Sequence, residues 1–251
     1  MSQLSGQRVL ITRAAEDCAP WAKQLEDAGA VPVILPCITC EIIDEPAVRT
    51  QLVNVLPTAD WVVFTSSRGV DALKRLLGQG SGDILPRATQ VAVVGPATAE
   101  AALTDLGRVD LVAEAGTAES LATTLACVLQ SADPAPTSPP RILIAVAENA
   151  GAVLEEIMSG AGGECTRVNI YRTVPAGARR VKQALSDLGA DKILLASPSA
   201  VAGLLNQVEL DAAAEIFTIG PSTSRAARAA ELTVTAEATS PSLKGLMETM
   251  R

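Results

Sequence analysis

Residues 216–228, IFTIGPSTSRAAR, decide how the fold of this chain is interpreted. The apolar start is typical of a buried strand, Gly220-Pro221 is typical of a tight turn, and the Ala/Arg-rich end is typical of a helix. Proline is tolerated in the first turn of a helix because the N–H that it lacks would have no partner there. The hydroxyls of Ser222 and Thr223 are predicted to cap free N–H groups, and the helix start is predicted to bind anions.

The same strand–turn–helix pattern occurs earlier, at residues 91–101, and it belongs to a longer repeat. The predicted elements follow the order A-B-C-A-B-C, where A is a βαβ unit, B is a strand, serine turn and helix, and C contains a GP turn. Each A-B-C set supplies five predicted strands, which suits a small doubly wound parallel sheet. The other repeated segments are RVLITRA at 8–14 with RILIAVA at 141–147, and FTSSRGVDAL at 64–73 with LASPSAVAGL at 195–204.

Composition and charge exclude several classes of function. The 251 residues are enough for two domains of ordinary size, aromatic residues make up only 2%, and the net charge is −8. This balance argues against nonspecific binding to nucleic acid or to anionic membranes, which requires basic surfaces. The sequence contains no histidine, so a Ser-His-Asp triad, a Cys-His pair and a His-ligated metal site are all excluded.

The N-terminus and the cysteines predict a cytoplasmic protein with reduced thiols. The start, MSQLSGQRVLITRA, lacks the pattern of a signal peptide, and no apolar run is long enough to span a membrane. Five cysteines form an odd set in such a chain, which favours free thiols. Cys37 and Cys40 have C-x-x-C spacing, but packing is predicted for them because no second pair and no histidine could complete a metal site.

The repeat allows two ways of dividing the chain into domains. In a tandem arrangement, the domains meet in the Pro-rich loop predicted at residues 131–140. In a swapped arrangement, the first A unit joins the last B and C units, the middle B-C-A forms an inserted domain, and residues 36–43 and 169–175 connect them. The repeat alone does not choose between these arrangements. A glycine-rich loop is predicted at residues 78–86, and a helix is predicted at residues 181–188.

Together these segments resemble the uroporphyrinogen-III synthase family across essentially the whole chain. Each turn alone is common in proteins, so the resemblance depends on the order and spacing of the segments. They are VLITRA at 9–14, VPVILP at 31–36, FTSSRGV at 64–70, VAVVGPATAEA at 91–101, VNIYRTVP at 168–175, SPSAV at 197–201 and IGPSTSRAA at 219–227.

The resemblance implies an α/β fold with two flavodoxin-like, doubly wound parallel-sheet domains joined by a two-stranded linker. One domain is discontinuous and comprises residues 1–36 and 175–251, and the inserted domain comprises residues 41–168. Residues 37–40 and 169–174 would be the linkers. The substrate is expected between the domains, which are expected to move relative to each other.

The resemblance also implies a cofactor-free lyase of tetrapyrrole biosynthesis, the route to heme, siroheme and cobalamin. Such an enzyme closes linear hydroxymethylbilane to uroporphyrinogen III, with loss of water and inversion of ring D through a proposed spiro intermediate. Its small-molecule partner is a polycarboxylate, and neither nucleic acid nor a membrane is expected. A monomer that meets the preceding pathway enzyme only transiently is compatible with the resemblance. The alternative is a noncatalytic, two-lobed ligand-binding or regulatory protein on the same fold.

The resemblance assigns Tyr171, the only tyrosine, as the proton donor to the leaving hydroxyl. The segment 147–151, AENAG, departs from the family, whose members often have a Gly-rich turn and an arginine here; the departure puts an acid near a polyanion site and leaves room for an altered activity. Substrate contacts are expected from residues that follow strand ends, where doubly wound sheets bind ligands. These residues are Arg13, Thr65, Ser66, Ser67, Arg68, Gly95, Thr98, Ser197, Ser199, Gly220, Ser222 and Thr223.

Overall fold

The computed structural model describes residues 4–78, 84–113, 115–131 and 138–250. The chain divides into two compact units, one formed by Met1–Cys40 with Thr173–Arg251 and the other by Glu41–Arg172. The loops predicted at residues 78–86 and 131–140 lie largely outside the described residues.

Strands and helices alternate along most of the chain, as the repeat predicts. The strands are β1 Arg8–Ile11, β2 Val31–Ile34, β3 Ile38–Ile42, β4 Trp61–Phe64, β5 Gln90–Val94, β6 Leu111–Ala113, β7 Arg141–Ala147, β8 Glu164–Pro175, β9 Gln183–Ala184, β10 Lys192–Leu195, β11 Val208–Glu209, β12 Glu215–Thr218 and β13 Val234–Glu237. The helices are α1 Ala15–Asp27, α2 Pro46–Val55, α3 Ser67–Leu77, α4 Gly95–Leu106, α5 Ala118–Gln130, α6 Val153–Gly160, α7 Leu185–Leu188, α8 Pro198–Gln207, α9 Pro221–Ala229 and α10 Leu243–Thr249, with a 3₁₀ turn at Leu56–Thr58.

The discontinuous unit contains a parallel sheet in the order β13-β12-β10-β1-β2. Apolar side chains on both faces of its strands are buried, which explains why β1 and β10 are continuous apolar runs. Leu10 and Leu195 pack on one face together with α8, while Ile11 and Phe217 pack on the other face together with α1 and α10. At the edge strand β2, the backbone N–H of Val31 bonds to Gln7 of the neighbouring chain segment.

The unit Glu41–Arg172 is built around a sheet in the order β3-β8-β7-β4-β5-β6, in which β8, β7, β4, β5 and β6 run parallel. Trp61 and Ile144 lie on the face covered by α5 and α6, where Leu125 and Met158 complete the core. The chain crosses the division between the units within β3 and again within β8. The predicted α/β class with parallel sheets is confirmed.

One predicted helix is wrong. Residues 181–188 contain only the short helix Leu185–Leu188, preceded by a two-residue strand that pairs with β11. Val181 is largely exposed and therefore cannot belong to a buried helix face. The apolar spacing at this segment arises from the two leucines of α7, which are buried.

Candidate active site

The predicted site residues of each unit lie at the carboxyl edge of that unit's sheet. In one unit they follow the adjacent strands β1, β10 and β12, and in the other they follow β4 and β5 or lie near the end of β8. Parallel sheets bind ligands at this edge because the helices that follow the strands present free N–H groups there. The first group is Arg13, Ser197, Ser199, Gly220, Ser222 and Thr223, and the second is Thr65, Ser66, Ser67, Arg68, Gly95, Thr98 and Tyr171.

The backbone of Tyr171 is held by the end of β7. The register between β7 and β8 is irregular at Val146/Ala147, so that Ala147 lies opposite Tyr171. The Tyr171 carbonyl accepts a hydrogen bond of 2.8 Å from the N–H of Glu148. The side chain is only 7% exposed. The irregularity thus fixes where the ring leaves the strand.

The phenol of Tyr171 forms a hydrogen bond with the helix cap of α3. Its oxygen lies 2.7 Å from Oγ of Ser66, and either hydroxyl can be the donor. The same Oγ accepts a hydrogen bond of 3.3 Å from the N–H of Gly69, which confirms that Ser66 caps α3. When Ser66 donates to the phenol oxygen, the phenol can donate its own proton to a further acceptor. The arrangement therefore suits a phenol that gives its proton to a bound molecule.

Gly69 allows α3 to approach Tyr171 closely. A Cβ at this position would lie 3.1 Å from the carbonyl oxygen of Ala145 and 3.2 Å from Cδ1 of Phe64, closer than side-chain atoms normally pack. It would also lie 3.8 Å from Cε1 of Tyr171. A side chain at this position would make the Ala145 carbonyl and the Phe64 ring shift by a few tenths of an ångström, so glycine suits the close approach of α3.

Arg167 braces the turn that follows β7, and the sequence analysis missed it. A lone arginine in an alternating strand carries no local signal, since four of its five hydrogen-bond partners lie 12 to 20 residues earlier in the chain. Its five N–H groups all have acceptors within 3.2 Å, which leaves none for a ligand. These bonds run from Nε to Asn169 Oδ1 (2.8 Å), from Nη1 to Gly151 O (3.2 Å) and Glu155 Oε1 (2.8 Å), and from Nη2 to Ala147 O (3.0 Å) and Ala150 O (2.8 Å).

The two GP turns differ in backbone conformation. Gly95 has φ +70°, a left-handed value that favours glycine, and it begins α4. Gly220 is extended, with φ 171°, and is the N-cap of α9. Neither helix has a side-chain cap. Thr98, in the first turn of α4, is buried.

The prediction that Ser222 and Thr223 cap α9 is wrong. The cap position is taken by Gly220, which has no side chain, so both hydroxyl residues lie inside the first helical turn. The carbonyl of Gly220 accepts hydrogen bonds from the N–H groups of Thr223 (3.1 Å) and Ser224 (3.0 Å). Both hydroxyls are therefore available for roles other than capping.

Buried hydroxyls surround the start of α9. Thr223 is 1% exposed, and its Oγ1 has no hydrogen-bond partner among the residues that the structure describes. Ser224 donates to the carboxylate of Glu237, and Thr218 Oγ1 lies 2.7 Å from Ser224 Oγ. A buried hydroxyl without a partner costs about 1–3 kcal/mol. Thr223 is thus a group whose hydrogen bond a polar ligand could complete.

In the same unit, the serine turn before α8 has its own partners. Ser197 accepts a hydrogen bond of 3.1 Å from the N–H of Ala200 and thereby caps α8. Ser199 Oγ lies 3.5 Å from the carbonyl oxygen of Thr173, to which it donates. The hydroxyl of this cap has no aromatic partner of the kind that Ser66 has among the described contacts.

The predicted arginines differ in how far they are engaged. Arg13 Nη2 forms an ion pair of 3.0 Å with Asp17, and its guanidinium lies 4.6 Å from the centre of the Trp21 ring. The charge of Arg13 is therefore balanced within the first turns of α1. Arg68 is partly exposed in the first turn of α3.

Three of the five cysteines, Cys18, Cys37 and Cys165, are poorly suited to nucleophilic chemistry. Burial raises the pKa of the Cys37 thiol to about 12 and also raises the pKa values of Cys18 and Cys165. A protonated thiol is neither a nucleophile nor a metal ligand. Within the described residues, no group of three or more cysteine, aspartate or glutamate side chains could hold a metal ion. None of the described helices is long and apolar enough to cross a membrane.

The parallel sheets, with helices that begin at their carboxyl edges, define a protein of the doubly wound α/β class. The chain belongs to the uroporphyrinogen-III synthase family, because the family model for uroporphyrinogen-III synthase HemD matches residues 19–248.

Two relatives in sequence are named uroporphyrinogen-III synthase. The chain is 26% identical to the protein of Chlorobaculum parvum over 228 residues, which are 87% of each chain. It is 31% identical to the protein of Synechococcus elongatus over 120 residues, and that match spans 47% of this chain and 45% of the relative. The second match thus covers less than half of that relative's length.

Solved structures of uroporphyrinogen-III synthases have a similar fold. The structure from Helicobacter pylori is 14% identical, with a TM-score of 0.57 and coverage of 97% of both chains. A mutant form from Thermus thermophilus is 19% identical, with a TM-score of 0.53 and coverage of 97% of this chain and 96% of the other. At these identities the comparison establishes the fold class alone, and it confirms the predicted two-domain α/β fold.

Proposed function

We propose that this protein is a lyase that closes linear hydroxymethylbilane to uroporphyrinogen III, with loss of water and inversion of ring D. The observation that carries the proposal is the hydrogen bond of 2.7 Å between Tyr171 and Ser66 at the carboxyl edge of a parallel sheet. Membership of the uroporphyrinogen-III synthase family supports the choice of reaction.

Tyr171 would act as the general acid. The substrate hydroxyl leaves as water once it is protonated, and the pyrrole nitrogen stabilises the cation that remains. Phenols ordinarily titrate near pH ~10, so a phenol holds its proton at neutral pH and can donate it. The phenolate regains a proton when the newly closed ring loses one to restore its aromatic character. Ser66 can donate to the phenol oxygen throughout this exchange.

The turns would bind the carboxylates of the substrate. An acidic protein has to bind a polycarboxylate through local donors, and the starts of α3, α4, α8 and α9 supply backbone N–H groups for this purpose. The hydroxyl of Thr223, which has no hydrogen-bond partner in the described part of the chain, supports a substrate contact there. Among the proposed contacts, Arg13 contributes the least positive charge to substrate binding, because Asp17 already balances its charge. The proposed contacts are Arg13, Thr65, Ser66, Ser67, Arg68, Gly95, Thr98, Ser197, Ser199, Gly220, Ser222 and Thr223.

The same proposal covers the setting in which the enzyme works. Residues 1–36 with 175–251 would form one domain and residues 41–168 the other, joined by linkers at 37–40 and 169–174. The protein would act in the cytoplasm as a monomer without a cofactor, and it would meet the preceding enzyme of the pathway transiently.

An isomer assay tests the proposed activity. Hydroxymethylbilane generated freshly in the reaction closes spontaneously to the type I isomer, so the type III isomer reports catalysis. We expect uroporphyrinogen III in clear excess over a reaction without the protein. Formation of the type I isomer alone would refute the proposal and favour a noncatalytic binding protein on the same fold.

A further inference from the structure

We infer that Arg167 is a positioning residue for Tyr171, an inference that rests on the proposed function for the role of the phenol. Arg167 lies four residues before Tyr171 on β8, and only 24% of its side chain is exposed. Four of its five hydrogen bonds go to residues 147–155, which connect β7 to the first turn of α6.

These bonds lead to Tyr171 by a short route. Nη2 of Arg167 holds the carbonyl oxygens of Ala147 and Ala150, at 3.0 and 2.8 Å. Between them, Glu148 donates its backbone N–H to the carbonyl of Tyr171 at 2.8 Å. Ala147 is also the residue that lies opposite Tyr171 across the irregular register. Arg167 thus fixes both backbone elements that hold Tyr171 in place.

The charge of Arg167 is balanced within the same network. Nη1 lies 2.8 Å from Glu155, and both side chains are mostly buried. The pair connects the first turn of α6 to β8. A neutral or shorter side chain at position 167 would take their described donor from Glu155 and from the carbonyl oxygens of Ala150 and Gly151. The turn would then lose the geometry that places the N–H of Glu148 against Tyr171.

Because all five donors of Arg167 are used, the residue has none left for a substrate carboxylate. Its loss is therefore expected to lower kcat and to leave KM nearly unchanged. A residue that bound the substrate would instead change KM. This difference separates positioning from binding.

The test exploits the presence of a single tyrosine in the chain. Biosynthetic incorporation of 3-fluorotyrosine gives one ¹⁹F resonance, which reports the surroundings of the Tyr171 ring in the substrate-free protein. The variants are Arg167→Gln and Arg167→Lys, the second of which keeps the charge but not the planar fork. The matched control is Arg141→Gln, because Arg141 lies on the neighbouring strand β7 and its side chain forms an exposed pair of 3.9 Å with Glu164.

We expect Arg167→Gln to shift or broaden the resonance and to lower kcat about tenfold or more, since small misplacements of a catalytic group are costly. KM should stay within about twofold. Arg167→Lys should show the same changes to a smaller degree, and it decides the question if Arg167→Gln does not fold. Arg141→Gln should leave the resonance and the rate as in the unsubstituted protein.

Two results would overturn the inference. An unchanged resonance and kcat in the folded Arg167 variants would show that the network does not position Tyr171. A raised KM with an unchanged kcat would show that Arg167 binds the substrate. The resonance is measured without substrate, so the positioning claim is decided even if the protein lacks the proposed activity, and the two failures remain distinguishable.

Discussion

The serine-capped turns at Ser66 and Ser197 have the same local structure but different surroundings. Each serine accepts a hydrogen bond from the N–H three residues later, at 3.3 and 3.1 Å. In the repeat, Gly69 of one copy corresponds to Ala200 of the other, and only Gly69 packs against Tyr171. The comparison shows that the cap is a shared element of the fold, while the contact with the phenol belongs to one copy.

At a second pair of corresponding positions, α8 has the glycine and α3 has the alanine. Gly203 of α8 corresponds to Ala72 of α3, and both residues are buried. A Cβ at Gly203 would overlap the carbonyl oxygen of Cys37, whereas α3 carries a methyl group at the same point without difficulty. Each helix therefore has its glycine where another segment approaches closely: Gly69 of α3 faces Ala145, and Gly203 of α8 faces Cys37. Exchanging residues between the copies tests this interpretation.

Among the substitutions, the largest effect is expected from Gly203→Ala. The new methyl group has to displace backbone rather than a flexible side chain, so we expect a loss of about 3 kcal/mol in the free energy of unfolding. Urea unfolding followed by circular dichroism measures the change. The matched exchange Ala72→Gly should cost only about 1 kcal/mol, the usual penalty for glycine in a helix. Equal costs for the two variants would contradict the assigned packing.

Tyr171→Phe should have the next largest effect, on the rate of the reaction. Tyr171 is the only tyrosine of the chain, so no other phenol can replace it as the proton donor. We expect kcat to fall about 100-fold, the usual contribution of a general acid, which corresponds to about 2.7 kcal/mol. The type III isomer formed per minute measures the rate, and thermal unfolding provides the control for folding. A variant with full rate would remove the general-acid role and leave the fold assignment intact.

Alkaline pH should lower the free energy of unfolding through the thiol of Cys37. This residue lies next to Gly203 of α8, the helix that Ser197 caps. Burial raises the pKa of this thiol from 9.0 to about 12. The unfolded chain therefore loses the proton first, so the stabilisation is complete below pH 9 and is lost between pH 9 and 12. Between these pH values the free energy of unfolding should fall by about 1.4 kcal/mol per pH unit. Urea unfolding at several pH values should show this slope, and Cys37→Ala should reduce it; an unchanged slope would count against Cys37 as its source.

Gly69→Ala should have the smallest effect on stability, about 1 kcal/mol, because the neighbouring atoms have to move by only a few tenths of an ångström. It should nevertheless shift the ¹⁹F resonance of Tyr171, since α3 and Ser66 move away from the ring. The mirror variant Ala200→Gly should lower stability by a similar amount without moving that resonance. A shift in both variants would mean that the resonance reports overall loosening rather than the local contact.

The features that sequence could predict are those set by neighbours along the chain. The strands and helices follow from apolar spacing, and the caps at Ser66 and Ser197 follow from a serine placed between a strand and a helical pattern. The cap predicted for Ser222 and Thr223 is wrong because proline at the first helical position gives the cap to Gly220. A difference of about two residues in where a helix begins is beyond what spacing can resolve.

The features that sequence could not predict depend on contacts between distant segments. The network of Arg167 requires the irregular register between β7 and β8, which no local pattern indicates. The short contact between Ser66 and Tyr171 joins residues 105 positions apart. Tyr171 itself could be singled out only because it is the sole tyrosine and matches a family segment.

Pro32 in the edge strand β2 opposes pairing of this edge with another copy of the chain during folding. Val31 and Leu35 donate their N–H groups inward, to Gln7 and Ile11, so the nitrogen of Pro32 faces the open side of the sheet. Val31 and Ile34 are exposed there and would suit a partner strand. Proline removes a donor that an incoming strand would need, and it acts as a gatekeeper against aggregation at the cost of no internal hydrogen bond.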